Sequence, residues 1–257
     1  MCRLVAYFGS PITLDTLLYA PEHSLLVQSY QPKEMTSGIM NADGVGMGWY
    51  RYGNEPEAFT YRSILPMWSD INLPQLSRYV NTKCSVAYVR SATPGQATDL
   101  SNCQPFQHRQ LLFVHNGFIE NFRQTAYRPL RDRLDDRTYQ SIHGTTDSEH
   151  IFALIVQAWE AKGDLKHAVR SAMATLAELS DKYNAAVSAN IAIADGEQIV
   201  ATRFATPKTA PSLYVFRDAE KGVTIASEPL FAGNWQPCPD GNLIYTRDRH
   251  LDIEPLF

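Results

Sequence analysis

The sequence predicts an α+β fold, and three observations carry that reading. Short strand-like runs fill the first 120 residues, two long helical patterns follow back to back, and alternating strand-like runs return after them. Strands, then helices, then strands is the order of an α+β chain, in which helices gather on a sheet face instead of alternating with parallel strands.

In chain order, LVAYF opens as a strand, TLDTLLYA gives a short helical pattern, and GMGWYRY reads as a strand entered from a glycine-rich turn. CSVAYVR and QLLFVHN are further strands. The clearest helix begins at TTDSEH, where Thr146 and Glu149 have capping-box spacing and Ile151, Leu154, Ile155, Ala158 and Trp159 share one face. LKHAVRSAMATLAELSDKY repeats that logic with Leu165, Val169, Ala172, Leu176 and Leu179. NIAIADGEQIVATRF holds two alternating runs around Asp195-Gly196, a hairpin dipeptide, and SLYVFRD and GVTIASEPL add two more strands.

With 257 residues and 44% hydrophobic content, the chain is expected to form one domain over residues 2–257; no repeat, low-complexity tract or long linker divides it. A net charge of -4 and a pI near 6.0 offer no basic footprint for nucleic acid. The N-terminal apolar run is broken by Gly9, Ser10 and Pro11, too soon for a signal peptide, and no stretch approaches a membrane span, so a soluble cytoplasmic protein is expected. Cys2, Cys84, Cys103 and Cys238 are scattered without a C-x-x-C pair, which predicts reduced thiols and no metal site. Cys84, inside an apolar strand, reads as a small hydrophobe. Cys2 differs by standing directly behind the initiator methionine.

Several short motifs carry chemistry, each with a plainer alternative. NADGVGMGWY has alternate glycines but neither dinucleotide nor P-loop spacing, and suits a close backbone approach. In VRSATPG, Arg90 ends an apolar strand with Ser91 and Thr93 behind it, fit for a substrate carboxylate or for a strand-end salt bridge. Asn116-Gly117 in LFVHNGFIEN is either a type I′ turn or an oxyanion hole built from a side-chain amide and an unobstructed N–H. Asp147, in the first turn of the strong helix, is either a cap or a binding carboxylate.

Taken together, Cys2, Arg90, Thr93, Asn116, Gly117 and Asp147 occur in an order that resembles the class II glutamine amidotransferases, whose R-x-x-T, H-N-G and T-D-[ST]-E motifs read here RSAT, HNG and TDSE. The resemblance implies a four-layer αββα sandwich of the N-terminal-nucleophile hydrolase type. It also implies removal of Met1 and attack by Cys2 on a γ-glutamyl amide. Arg90 and Thr93 would hold the substrate α-carboxylate, Asp147 its α-ammonium, and Asn116 and Gly117 the oxyanion. A thiol needs a base, and the freed α-amine of Cys2, with an unperturbed pKa of roughly 8, supplies one; an internal base such as His115 is the rival. No metal or other cofactor is required for a thioester route.

Two departures point away from the sugar-synthase branch of that family: Pro94 stands within VRSATPG, and Gln104 stands where those relatives often place His. VQSYQP, MNADGVGMGWY, ILPMW and VRSATPG are most similar to the branch that removes glutamate from γ-glutamyl-hercynylcysteine sulfoxide in ergothioneine biosynthesis. PEHSLLVQSY, SNCQPF and GTTDSEHIFAL are similar to the amidotransferase-like subunit of a glutathione-degrading complex, which would also cut a γ-glutamyl bond. Because the glutaminase-like region takes up the sequence, stand-alone hydrolysis is expected, with a small-molecule γ-glutamyl substrate. A homo-oligomer, or a partner subunit that receives ammonia, stays open. Trp49, Trp68 and Trp235 are aromatic candidates for contacting a bulky or cationic leaving group, although each is more commonly a core residue.

Overall fold

The computed structural model describes residues 1–53, 56–92, 97–248 and 250–257. The first half supplies β1 (Arg3–Thr13), α1 (Asp15–Leu18), α2 (Leu25–Tyr30), β2 (Val45–Arg51), β3 (Glu57–Ser63), α3 (Leu73–Tyr79), β4 (Asn81–Val89), β5 (Phe106–His108) and β6 (Leu111–Ile119). After α4 (Tyr127–Arg131) and α5 (Asp136–Gln140) come the two long helices, α6 (Asp147–Lys162) and α7 (Leu165–Tyr183). The chain then forms β7 (Val187–Ala194), β8 (Gln198–Arg203), β9 (Ala205–Thr206), β10 (Tyr214–Asp218), β11 (Gly222–Ala226), β12 (Gln236–Pro237), β13 (Asn242–Arg247) and β14 (His250–Pro255).

Among the described residues these strands make two antiparallel sheets. One runs β12-β10-β11-β1-β4-β2-β3; the other runs β14-β13-β8-β7-β6-β5, with β9 on β7. Three apolar clusters define the layers. Leu4, Ala6, Val86 and Tyr88 of the first sheet meet Leu112, Val114, Ala192 and Ala201 of the second, so the sheets pack face to face. The outer face of the second sheet, through Phe113, Ile191 and Ile193, meets Ile151, Ile155, Val169 and Leu176 of α6 and α7. The outer face of the first, through Val5, Met47 and Ala87, meets Leu17, Leu18, Leu25 and Leu73 of α1, α2 and α3. This is the four-layer αββα sandwich, and alternation explains it: neighbouring residues of each strand serve different cores.

Local chemistry fixes the long helices. Thr146 caps α6 by accepting the Glu149 N–H at 3.3 Å, and Gly163 ends it at φ 70°. Asp164 then accepts the His167 N–H and opens α7, so the two helices form a hairpin with no spare loop. The capping box is half formed. The Glu149 carboxylate reaches past Thr146 to the N–H groups of His143 and Gly144, at 2.8 and 2.6 Å, and ties down the loop that enters the helix. No helix among the described residues is long and apolar enough to cross a membrane.

Candidate active site

A cavity of about 890 Å³ opens where the start of β1, the ends of β6 and β9, the start of β7 and the first turn of α6 converge. Cys2, Ser91, Gly117, Asp147 and Ser188 line it, and residues 36–38 wall it from the loop after α2. The β1–β4 register, with Arg3 opposite Val89, carries Cys2 to the Arg90–Ser91 end of β4.

The Cys2 thiol is buried there but well supplied with partners. Tyr88 donates its hydroxyl to Sγ at 2.8 Å, the Ser91 N–H lies at 3.4 Å, and the thiol itself faces the Ser91 carbonyl at 3.5 Å. Burial first, then the neighbouring Cys2, pushes the Tyr88 phenol well above its ordinary range. Tyr88 therefore stays protonated and acts as a donor to sulfur. Met1 is half-buried at this site; desolvation, the largest influence, lowers its amine below the usual range, and that amine donates to the Ser37 carbonyl.

The residue after the thiol anchors the strand. Arg3 is fully buried, donates Nη1 to the Cys2 carbonyl at 2.8 Å, and pairs through Nε with Glu228 Oε1 at 2.7 Å. Glu228 also accepts from His23 and from the N–H groups of Lys33 and Glu34. Burial opposes ionisation of Glu228, but these donors and Arg3 together hold its carboxyl below the usual range. One carboxylate thus ties the nucleophile's strand to the segment leading into the cavity wall.

Asn116-Gly117 is not a turn: β6 runs unbroken through it, with Asn116 opposite Asn190 and Gly117 opposite Ala189 of β7. Glycine is required by a close approach, since a Cβ at 117 would fall 2.0 Å from the Ser188 carbonyl oxygen and 2.3 Å from His115 Nε2. On the edge of β6 away from β7, the N–H of His115 is taken by Gln104 Oε1 and that of Ile119 by Asp147 Oδ2. Antiparallel alternation puts the Gly117 N–H on that same edge, between the two. The Asn116 side chain is fully buried, and among the described residues neither its amide nitrogen nor its oxygen has a hydrogen-bond partner. A buried amide without a protein partner is uncommon, and a catalytic role is one of the reasons for which it occurs.

His115 is not placed as a base. Its Nε2–H donates to the Ser188 carbonyl at 3.1 Å and its Nδ1 accepts from the Ser148 hydroxyl at 2.8 Å, while burial lowers its pKa. Both nitrogens are occupied in a neutral ring that fastens α6 to the second sheet.

Asp147 bridges the same elements. Its Oδ2 accepts the Ile119 N–H at 2.8 Å and its Oδ1 the Ser148 N–H at 2.8 Å, and the residue lines the cavity. The cap itself is Thr146. Arg90 is buried beside Ser91 with its guanidinium near the carbonyls of Asp43 and Ala97, and it is not among the described lining residues. Thr93 and Pro94 lie outside the described residues. Gln104 is buried, its amide bonded on both sides to the His115 backbone, so it does not face a substrate.

The three tryptophans are also elsewhere. Trp49 stacks on Phe59, Trp68 meets Tyr30 edge-on, and Trp235 packs against Phe216 and Phe231; the aromatic rings described in the cavity wall are Phe118 and Phe122. Among the described residues no cluster of His, Cys, Asp or Glu is grouped to hold a metal ion. Sequence reasoning missed Tyr88, Arg3 and Glu228. Tyr88 was legible from parity, because Cys84, Val86 and Tyr88 alternate onto the face that meets Cys2.

Comparison with known proteins agrees with this geometry. Residues 22–209 match the family described as glutamine amidotransferases class-II. The chain is 33% identical over 258 residues to a γ-glutamyl-hercynylcysteine sulfoxide hydrolase of Mycolicibacterium smegmatis, covering the whole of both. It is 29% identical over 304 residues to a probable glutamine amidotransferase of Saccharomyces cerevisiae, covering all of this chain and 85% of that one. Among solved structures, a glutamine aminotransferase class-II domain protein from Silicibacter pomeroyi superposes with a TM-score of 0.73 at 25% identity over the full length of both.

Proposed function

The chain belongs to the class II glutamine amidotransferases, and on that footing we propose that it hydrolyses γ-glutamyl amides through Cys2, with γ-glutamyl-hercynylcysteine sulfoxide as its substrate. The convergence of Cys2, Gly117 and Asp147 on one cavity supports the chemistry. The full-length likeness to a hydrolase named for that substrate supports the choice of compound.

The residues divide the work as follows. Removal of Met1 frees the Cys2 amine and clears the space that Met1 takes up in the cavity wall. The amine accepts the thiol proton, and the thiolate, supported by the Tyr88 hydroxyl, attacks the γ-carbonyl carbon. The Asn116 amide and the Gly117 N–H receive the oxyanion, which accounts for the unpaired amide at 116. The amine passes its proton to the departing nitrogen, leaving a thioester that water hydrolyses to glutamate. Asp147 pairs with the substrate ammonium, and Arg90 with Thr93 takes its carboxylate.

A substrate panel of glutamine, glutathione and γ-glutamyl-hercynylcysteine sulfoxide, read by released glutamate, tests this. Highest kcat/KM on the sulfoxide is expected. Preference for glutamine would mean an ammonia-supplying glutaminase, and preference for glutathione a different γ-glutamyl hydrolase.

A further inference from the structure

The cavity is larger than a glutamyl head requires; its 890 Å³ lies in the range, about 300–1,000 Å³, of pockets that enclose a whole drug-sized ligand. Much of it is therefore available to the leaving group, and its wall there carries charge. Arg123 and Lys208 both line the cavity, both are exposed, and neither forms an ion pair or hydrogen bond with another described residue.

Their placement follows from strand pairing. Ile119 at the end of β6 faces Val187 at the start of β7, and Val187 faces Thr206 at the end of β9. The loops that follow β6 and β9 thus leave the sheet at the same end, on either side of β7, and carry Arg123 and Lys208 respectively. Both loops are pinned. Thr125 donates to the carbonyls of Glu120 and Asn121, and the Phe122 ring packs on Tyr127 and His150. In the second loop Arg203 donates to the carbonyls of Ala210 and Pro211, and the Asn190 amide joins it on Pro211.

The two carboxylates of the cavity wall are turned to backbone donors. Glu120 accepts the Ala186 N–H at 2.9 Å, and Asp147 accepts from Ile119 and Ser148. The acids are thereby hydrogen-bonded within the fold while the bases face the open volume. The lining bases and acids balance in formal charge, but in the proposed complex Asp147 is matched by the substrate ammonium, so Arg123 and Lys208 outweigh Glu120 in the rest of the cavity and favour an anionic group there.

We propose that Arg123 and Lys208 form a leaving-group subsite that binds a carboxylate on the departing amine, so that the enzyme selects γ-glutamyl conjugates of amino acids or peptides over glutamine, whose leaving group is ammonia. This rests on the γ-glutamyl hydrolase reading of the site and assigns it two specificity residues. Arg123 supplies a planar fork for the carboxylate and Lys208 a second, flexible charge.

The test compares γ-glutamylglycine with its uncharged counterpart γ-glutamylglycinamide, in wild type, Arg123→Gln, Lys208→Gln and the double variant. The ratio of KM for the amide to KM for the acid should fall at least tenfold in the double variant, with Arg123→Lys recovering part of it. Added salt should weaken the preference in wild type, because the cations are exposed. Equilibrium binding of the same two compounds to the Cys2→Ala protein, measured by calorimetry, separates this proposal from the catalytic one. A carboxylate preference that depends on Arg123 and Lys208 supports the subsite even if no peptide is cleaved. Equal binding of acid and amide, or a preference unmoved by the double variant, overturns it even if hydrolysis proceeds as proposed.

Discussion

Replacing Asn116 by leucine should separate stability from catalysis. The amide is fully buried and both its polar atoms are unpaired among the described residues. Each such unsatisfied group costs about 1–3 kcal/mol, so removing both relieves the folded state. Leucine keeps the γ-branch but is bulkier, and overpacking returns about 1–3 kcal/mol of that relief. Relief of about 2–6 kcal/mol against about 1–3 kcal/mol of overpacking leaves the variant between about 1 kcal/mol less stable and about 5 kcal/mol more stable than wild type. The rate should not survive, because loss of one oxyanion donor lowers kcat about 10²–10³-fold. Urea denaturation followed by tryptophan fluorescence, together with glutamate release, measures both quantities on one preparation. A variant destabilised by more than about 3 kcal/mol with kcat within a few-fold of wild type would refute the reasoning, since Asn116 would then be a structural residue whose partners had gone unseen. Asn116→Asp adds a negative charge facing the oxyanion and should be no more active than the leucine variant.

Tyr88→Phe removes the hydroxyl at 2.8 Å from the thiol; kcat should drop about tenfold, in line with a hydrogen bond to a charged acceptor, and unchanged pH–rate profiles and kcat would contradict that role. Glu228→Leu leaves Arg3 buried without its counter-charge and should cost about 3–5 kcal/mol in a denaturant titration, while Glu228→Gln should lose less; equal stability of wild type and the leucine variant would show the pair to be dispensable. His150 is held neutral, its pKa lowered by burial to about 4, with Nε2 accepting from Arg131 and Nδ1 donating to the Thr146 carbonyl. Below pH 6.5 the unfolded chain takes up a proton at this residue that the folded chain refuses until about pH 4, so stability should fall across that window by up to about 1.4 kcal/mol per unit; His150→Gln should flatten the slope, and an unchanged slope would count against it.

What could be read from sequence was whatever depends on near neighbours. The 3.6-residue pattern from Leu165 to Tyr183 gave α7 its observed bounds, because its apolar stripe, its Asp164 cap and its end at Asn184 are all local. Asn116-Gly117 stayed ambiguous because the same dipeptide suits a turn, and only β7 running alongside requires an extended strand there. The capping box at Thr146 was half right: Glu149 found stronger donors in a loop whose path its sequence does not announce. The strands β3, β5, β9, β12, β13 and β14 were missed, as were the short helices α2 to α5, whose few turns are stabilised by packing and carry little periodicity. Glu228 could not have been linked to Arg3, 225 positions away, by any local rule. Of the two readings open for the tryptophans, core residue or leaving-group contact, the first fits Trp49 and Trp235. Trp68 is instead exposed beside Tyr30, and none of the three is among the residues that line the cavity.

The central claim is that Cys2 hydrolyses γ-glutamyl amides as a free N-terminal residue, its own amine serving as the base. A form of the protein with several residues ahead of Cys2 keeps the thiol but converts that amine to an amide, which cannot accept a proton near neutral pH. Activity on γ-glutamyl-hercynylcysteine sulfoxide is compared before and after a protease exposes Cys2, with mass spectrometry confirming the new terminus and Cys2→Ala as control. The extended form should fold and be inactive, cleavage should restore glutamate release, and the alanine variant should stay silent throughout. Full activity in the extended form would contradict the account, because the base would then have to be another group beside the thiol.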